Sequence, residues 1–304
     1  MIEQKTTVDW LRFRTQAKPL EALEALKPLY GALGQSMRLQ SLERGILGFQ
    51  QAVTINIGDL VLGRMDFGGE SQRGWCRVEL PAKACTWVSQ WGELESVERL
   101  AGSEIRRLDL ALTTWDGEVT HGQVVHAHTQ GRFTIRRPPE LRQIISSDPR
   151  AGRTCYIGTR EKSDKFMRCY EKGLEMSAKS GGYLTHIDGK RVEDIYRCEV
   201  ELKAAGTVIP WGVIDQRDQY FAGAYPFCAD LLPNVEADIL MRRPEREPQI
   251  DLLVALENCR VQFGPTLYTA LHAYHGDIGA VWEKVLGRHH NQTLLDAGVL
   301  LVEH

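Results

Sequence analysis

The sequence predicts an α+β fold in which two similar β-α-β-β-β-α halves build one curved, mostly antiparallel sheet with helices on one face, followed by a small C-terminal helical element. Three observations carry this expectation. Short β-type runs alternate apolar and polar side chains, the pattern of strands with one covered and one open face. A stretch of helical period follows the opening strand of each half. The two halves also echo each other: C-R-V-E-L-P-A-K-A at Cys76 to Ala84 is matched by C-E-V-E-L-K-A-A at Cys198 to Ala205.

Val8 to Thr15 reads as the first strand, and Leu20 to Leu33 as a helix with Leu20, Leu23, Leu26, Leu29, Tyr30 and Leu33 on one side, bent or divided at Pro28. Phe49 to Ile57, Leu60 to Phe67 and Gly74 to Leu80 are three strands separated by G-D and G-G-E turns, and Ala84 to Leu100 is a helix. The second half opens with the strand Arg107 to Thr113 and the helix His121 to Gln130, then adds strands at Thr154 to Gly158, Phe166 to Glu171 and Tyr196 to Lys203, and a turn broken by Pro210. The halves fall at about 6–102 and 103–214 within a domain of 1–240; a charged linker (Met241 to Pro248) and helices at Ile250 to Arg260, Thr266 to His275 and Ile278 to Leu286 make up 241–304.

Composition narrows the function. The 304 residues are 43% apolar and 25% charged, as in ordinary globular proteins. No apolar run approaches the ~20 residues of a membrane span, so no membrane partner is expected and the location is the cytoplasm. Seven cysteines without a C-x-x-C pair read as reduced thiols. The net charge of −3 hides a basic stretch: Gly131 to Gly173 holds eleven Arg and Lys against five acids, a local +6. A polyanion is the natural partner of such a patch, although charge runs often serve only as solvated surface.

The patch surrounds a hairpin whose second strand carries Phe166, Arg168, Tyr170 and Lys172 on one face. A phenol with reference pKa of about 10 is a poor nucleophile unless cations or a metal favour the phenolate; Arg168 and Lys172 are placed to do this and to hold a phosphate. The polar faces of Arg107 to Thr113 and Tyr196 to Lys203 add Asp109, Glu199 and Glu201 with Arg107 and Arg197. A hard divalent cation is the usual reason to gather three carboxylates. Mg2+ or Mn2+ on one to three of them would polarise a phosphodiester that Tyr170 attacks in line, leaving a 5′-phosphotyrosyl link and a free 3′-hydroxyl. Arg107, Arg136, Arg137, Arg153, Arg160, Lys162, Lys165 and Arg197 are the expected DNA contacts. Cross-strand ion pairs on a solvated sheet face account for the same residues without catalysis. His126-Ala127-His128 has the spacing of a two-histidine metal motif, but its surroundings read as helical, which splays the pair.

Taken together, Val8-Asp9-Trp10-Leu11, R-L-D-L-A-L at Arg107 to Leu112, T-C-Y-I-G-T-R at Thr154 to Arg160, R-C-Y-E-K-G at Arg168 to Gly173, R-C-E-V-E-L-K at Arg197 to Lys203, V-I-P-W at Val208 to Trp211 and Y-F-A-G-A-Y-P at Tyr220 to Pro226 resemble the replication initiation factor family of filamentous phages. That family is related to the trans-acting Rep initiators of rolling-circle plasmids and to nicking relaxases of some conjugative elements. The resemblance implies a protein of the bacterial host cytoplasm that binds a double-strand origin, supercoiled or locally single-stranded. It would nick one strand through Tyr170, pass the 3′ end to a host polymerase with a helicase opening the duplex, and later rejoin the strand; a homodimer is compatible with it. Asp109 and Glu199 match the family's acidic strand positions. The sequence departs at Thr113-Thr114, where the family commonly has a second aspartate, so that either fewer carboxylates hold the metal or Asp116 substitutes. Tyr156, on the partner strand of the hairpin, is a competing nucleophile. A non-catalytic origin binder or repressor, and a hydrolytic nuclease using water, are the alternatives.

Overall fold

The computed structural model describes residues 4–161, 163–242 and 252–296. The chain divides into two compact units, Met1–Arg243 and Pro244–His304. In the first, alternating apolar and polar residues produce strands β1 (Thr7–Thr15), β2 (Met37–Leu42), β3 (Gln51–Ile57), β4 (Leu60–Phe67), β5 (Cys76–Leu80), β6 (Glu104–Thr114), β7 (Leu141–Ile145), β8 (Arg153–Ile157) and β9 (Lys165–Tyr170), then a short hairpin of β10 (His186–Ile187) and β11 (Lys190–Arg191), and finally β12 (Tyr196–Lys203). All but the short hairpin form one ten-stranded sheet of order β2-β3-β4-β5-β1-β6-β12-β9-β8-β7, in which every neighbouring pair is antiparallel.

The first half therefore runs 2-3-4-5-1 and the second 7-8-9-12-6, the same order, and the halves meet along β1 and β6. Besides the short hairpin, each half has one strand more in the sheet than the sequence pattern predicts. The additions, β2 and β7, are the outer edges, and β7 is exposed over four of its five residues, so no period-2 apolar pattern marks it.

One face is covered. Leu11, Phe13, Leu108, Leu110, Ile157, Met167, Val200 and Leu202 pack there with Tyr30, Phe133, Trp211 and Phe221 in a single core, each large side chain contributing about 1.5–3 kcal/mol on burial. The cover comprises α1 (Pro19–Leu26), α2 (Ala82–Thr86), α3 (Glu95–Glu98), α4 (His121–Thr129), α6 (Arg217–Ala222) and α7 (Pro226–Leu231), each of which adds residues to the core, whereas α5 (Lys172–Lys179) follows β9 and adds none. The expected helix Leu20 to Leu33 is α1 plus a 3-10 stretch, Lys27–Ser36, divided next to Pro28 and at Gly31 with φ of +53°. The expected helix Ala84 to Leu100 is three short pieces, because Trp87 to Gln90 leaves helical conformation. All seven cysteines are free, and six are buried.

The second unit contains α8 (Leu252–Ala273), α9 (Ile278–Val285) and α10 (Gln292–Asp296). Two expected helices are one, α8, which runs through Pro265. Asp277 caps α9 by accepting the Ala280 amide at 3.0 Å. The expected linker lies almost wholly outside the described residues, and no described helix is long and apolar enough to cross a membrane.

Candidate active site

On the uncovered face, three adjacent strands decide what meets. Register sets Glu199 of β12 opposite Arg168 of β9, Arg197 opposite Tyr170, and Glu201 opposite both Phe166 and, on β6, Asp109. Alternation then gathers Arg107, Asp109, Arg168, Tyr170, Arg197, Glu199 and Glu201 on one side. The Tyr170 hydroxyl donates to Glu199 Oε1 at 2.6 Å. The other carboxylate oxygen, Oε2, accepts from Arg168 Nε at 2.9 Å and Nη2 at 2.6 Å. The Arg168 guanidinium lies 4.5 Å from the Tyr170 ring centroid and Lys172 Nζ 5.5 Å from it. Tyr170 and Glu199 are each 6% exposed.

Burial, followed by the charge and hydrogen bond of Glu199, pushes the Tyr170 phenol well above its usual value, against the pull of Arg168 and Arg197. The flanking cations are expected to favour the phenolate; Arg168 does so, but burial and the hydrogen-bonded charge of Glu199 outweigh it in the resting protein. Burial works against the Arg168 charge, but Glu199 and Tyr170 more than offset it. The arrangement is a protonated phenol hydrogen-bonded to a carboxylate that an arginine orients, the geometry a nucleophile and its base would need.

The carboxylates do not converge as a trio: among the described residues no group of three or more His, Cys, Asp or Glu is placed to hold one metal ion. Glu199 is drawn toward Tyr170, whereas Asp109 accepts from Arg107 at 2.8 and 2.6 Å. Glu201 pairs with Arg107 at 3.0 Å and Arg160 at 2.9 Å. Burial, opposed by Arg107 and aided by Glu201 and Glu199, pushes the Asp109 carboxyl up to about 6. A bound cation would relieve that strain, and the opposed oxygen donors of Asp109 and Glu201 suit a hard divalent ion. These two fit a metal; Glu199 fits a base.

Residues 103–247 match the family model of the replication initiation factors. This stretch is similar to a replication initiation factor domain. It contains every residue of the Tyr170 cluster. A solved structure, that of the rolling circle replication initiator protein from Geobacillus stearothermophilus, is similar to the chain at 21% identity and a TM-score of 0.52, over 81% of this chain and 89% of that one. That likeness establishes the fold. No curated protein matches.

Not every residue expected to contact DNA or phosphate reaches the Tyr170 face. Arg107, Arg160 and Arg197 do; Arg197 donates to Thr113 Oγ1 and to Asp9 Oδ1, each at 2.9 Å. Lys172 is no strand residue: β9 stops at Tyr170 and Lys172 opens α5, where it pairs with Glu175 at 2.7 Å. Lys165 points to the other face, donating to the Ala224 carbonyl at 2.9 Å, and burial lowers its pKa. It lines a cavity of about 650 Å³ with Arg136 and Arg137, so these three cations lie away from Tyr170. Arg153 is held by Glu171 at the start of β8, and Lys162 lies outside the described residues. His126 and His128 are on α4, which packs on the covered face, and His128 Nε2 contacts the Pro139 carbonyl at 2.8 Å. Asp116 is in an exposed loop paired with Lys190 and does not stand in for the missing aspartate.

Two residues at the site escape sequence reasoning. Asp9 reaches the open face because the β1–β6 register shifts between Val8 and Trp10, so that Asp9 and Trp10 both leave the core side. The three-residue spacing of buried Val8 and Leu11 is the only trace of this in the sequence. Arg142, on β7, was counted only in the basic stretch; it stacks over Tyr156.

Proposed function

We propose that the chain is a rolling-circle replication initiator that nicks and rejoins one strand of its origin through Tyr170. The observation that carries this reading is the 2.6 Å hydrogen bond from the Tyr170 hydroxyl to Glu199 on the open, arginine-lined face of an initiation factor domain. Glu199 acts as the base, accepting the phenolic proton as the tyrosyl oxygen bonds to phosphorus and the bond to the 3′-oxygen breaks. The proton leaves on the 3′-oxygen, directly from Glu199 or through water. Arg168 keeps the carboxylate in place and, with Arg107, Arg160 and Arg197, faces the phosphate charge. The products are a 5′-phosphotyrosyl link and a 3′-hydroxyl that a host polymerase extends while a helicase opens the duplex. Rejoining is the same exchange in reverse, so no nucleotide is consumed. Asp109 and Glu201 would hold Mg2+ or Mn2+, which supplies polarisation of the phosphodiester when bound.

The resting phenol, buried and protonated, favours one rival: Tyr170 serves only to hold Glu199 and Arg168, and the chain binds DNA without cutting it. Supercoiled DNA bearing the candidate origin, incubated with Mg2+, Mn2+ or EDTA and resolved on a denaturing gel, separates the two. The nicking reading expects a metal-dependent protein–DNA adduct that Tyr170→Phe loses. Origin binding without any adduct supports the rival, and nicking that survives Tyr170→Phe points to water as nucleophile.

A further inference from the structure

Beside the Tyr170 cluster the open face carries an aromatic pair that the core does not need. Tyr156 on β8 and Phe166 on β9 are stacked with centroids 5.6 Å apart and planes at 29°. Arg142 lies 5.3 Å from the Tyr156 centroid and Arg160 lies 5.0 Å from that of Phe166. The pair adjoins the catalytic cluster through register, Tyr156 opposite Arg168 and Phe166 opposite Glu201. It lines a cleft of about 270 Å³ that also receives Glu140, Glu161, Arg142 and Arg160.

The chemistry of this cleft selects a base over a phosphate. Two carboxylates balance the two arginines that line it, so it carries no net positive charge to hold an anion, while a carboxylate accepts readily from an exocyclic amine. Tyrosine and arginine planes are the surfaces on which unstacked bases lie. Arg142 lies over the Tyr156 ring and forms no ion pair among the described residues, so it can turn to a backbone phosphate when a base takes its place on the ring. The volume, below the roughly 300–1,000 Å³ of drug-sized sites, admits one base.

We propose that this cleft holds one unstacked nucleobase of single-stranded DNA, lying on Tyr156 next to the strand presented to Tyr170. The assignment rests on the reading that this face receives DNA, though not on the chemistry of nicking. A base seated here keeps the strand locally open beside the scissile phosphate and fixes its register.

The test uses the full chain carrying Tyr170→Phe, so that no DNA is cut, and a set of single-stranded oligonucleotides with 2-aminopurine at each position in turn. Stacking on Tyr156 predicts strong fluorescence quenching at one position on binding. In the same background, Tyr156→Leu is expected to weaken single-strand binding roughly 5- to 100-fold, Tyr156→Phe to keep it within about twofold because the ring face remains, and both to leave binding of the fully paired duplex unchanged. Equal losses on single-stranded and duplex DNA, or no quenching at any position with the rings intact, overturn the proposal. Because no adduct is measured, a failure of the nicking reading and a failure of the base site give different results.

Discussion

The two halves of the sheet share a strand order and spend their open faces differently. In the first half, the fully buried Asp66 of β4 accepts from Arg64 and Arg77, each at 2.7 Å. In the second, by the C-R-V-E-L and C-E-V-E-L echo, the signs are exchanged: Glu199 stands where Arg77 does, and Arg168 where Asp66 does. Two residues beyond Asp66 comes Gly68 with φ of +74°, a conformation that resists side chains; two residues beyond Arg168 comes Tyr170. One buried carboxylate is thus satisfied by two permanent cations and the Ile46 amide, while the other has a partner that can give up a proton. The same scaffold makes an ion-pair network on one side and a tyrosine–carboxylate pair, the proposed nucleophile and base, on the other. Whether the halves arose by duplication is a separate proposal, resting on the strand order and the echo.

The largest effect that tests this contrast is on rate. Glu199→Gln keeps an acceptor for Arg168 but removes the base, and adduct formation is expected to fall roughly 10²- to 10⁴-fold with the fold intact by circular dichroism. An unchanged rate would make Glu199 a structural residue like Asp66. Next is a stability effect in the other half: Asp66→Ala removes the carboxylate that Arg64 and Arg77 share, leaving Arg77 only Glu79 and Arg64 only the Arg44 carbonyl, and is expected to cost about 3 kcal/mol in urea unfolding. Adduct yield per folded molecule should stay near wild type, since no reacting group has been touched.

A pH experiment sharpens the comparison further. The Asp109 carboxyl, raised in the fold to about 6 from an ordinary 3.8, keeps a proton that the unfolded chain has released across that window. Stability of the metal-free protein should therefore fall as pH rises from about 4 to 6, by on the order of 3 kcal/mol from this group. Asp109→Asn should flatten that slope in urea titrations with EDTA; a slope that persists assigns the effect elsewhere. The smallest effect concerns phosphate contact. Arg160→Gln should lower the slope of log affinity against log salt by about one, whereas Arg136→Gln, on the far face, should leave the slope for single-stranded DNA unchanged.

Much of this arrangement could be read from residue order alone. Alternation in β6, β9 and β12 was enough to put Asp109, Arg168, Tyr170, Glu199 and Glu201 on one face, because a buried opposite face fixes side-chain direction. What alternation omits is pairing. That Arg107 claims Asp109, and that Tyr170 and Arg168 draw Glu199 away from a metal trio, depends on side-chain reach across strands. Lys165, at the start of β9, turns to the covered side, and Lys172 reaches the Tyr170 ring from α5 rather than from the strand, because alternation stops fixing direction at a strand's ends. The edge strands β2 and β7 lack a two-sided environment to write a pattern. Tyr156 and Phe166 meet across two strands, so no linear motif announces the pair.

The central claim is that Tyr170 is the group that becomes joined to DNA. Trypsin digestion of the protein–DNA adduct followed by mass spectrometry locates the link directly. The account predicts a nucleotide-modified peptide with the modification on Tyr170, formed with Mg2+ or Mn2+ and lost in EDTA. A modification found on Tyr156, or an adduct that forms equally in Tyr170→Phe, would contradict it.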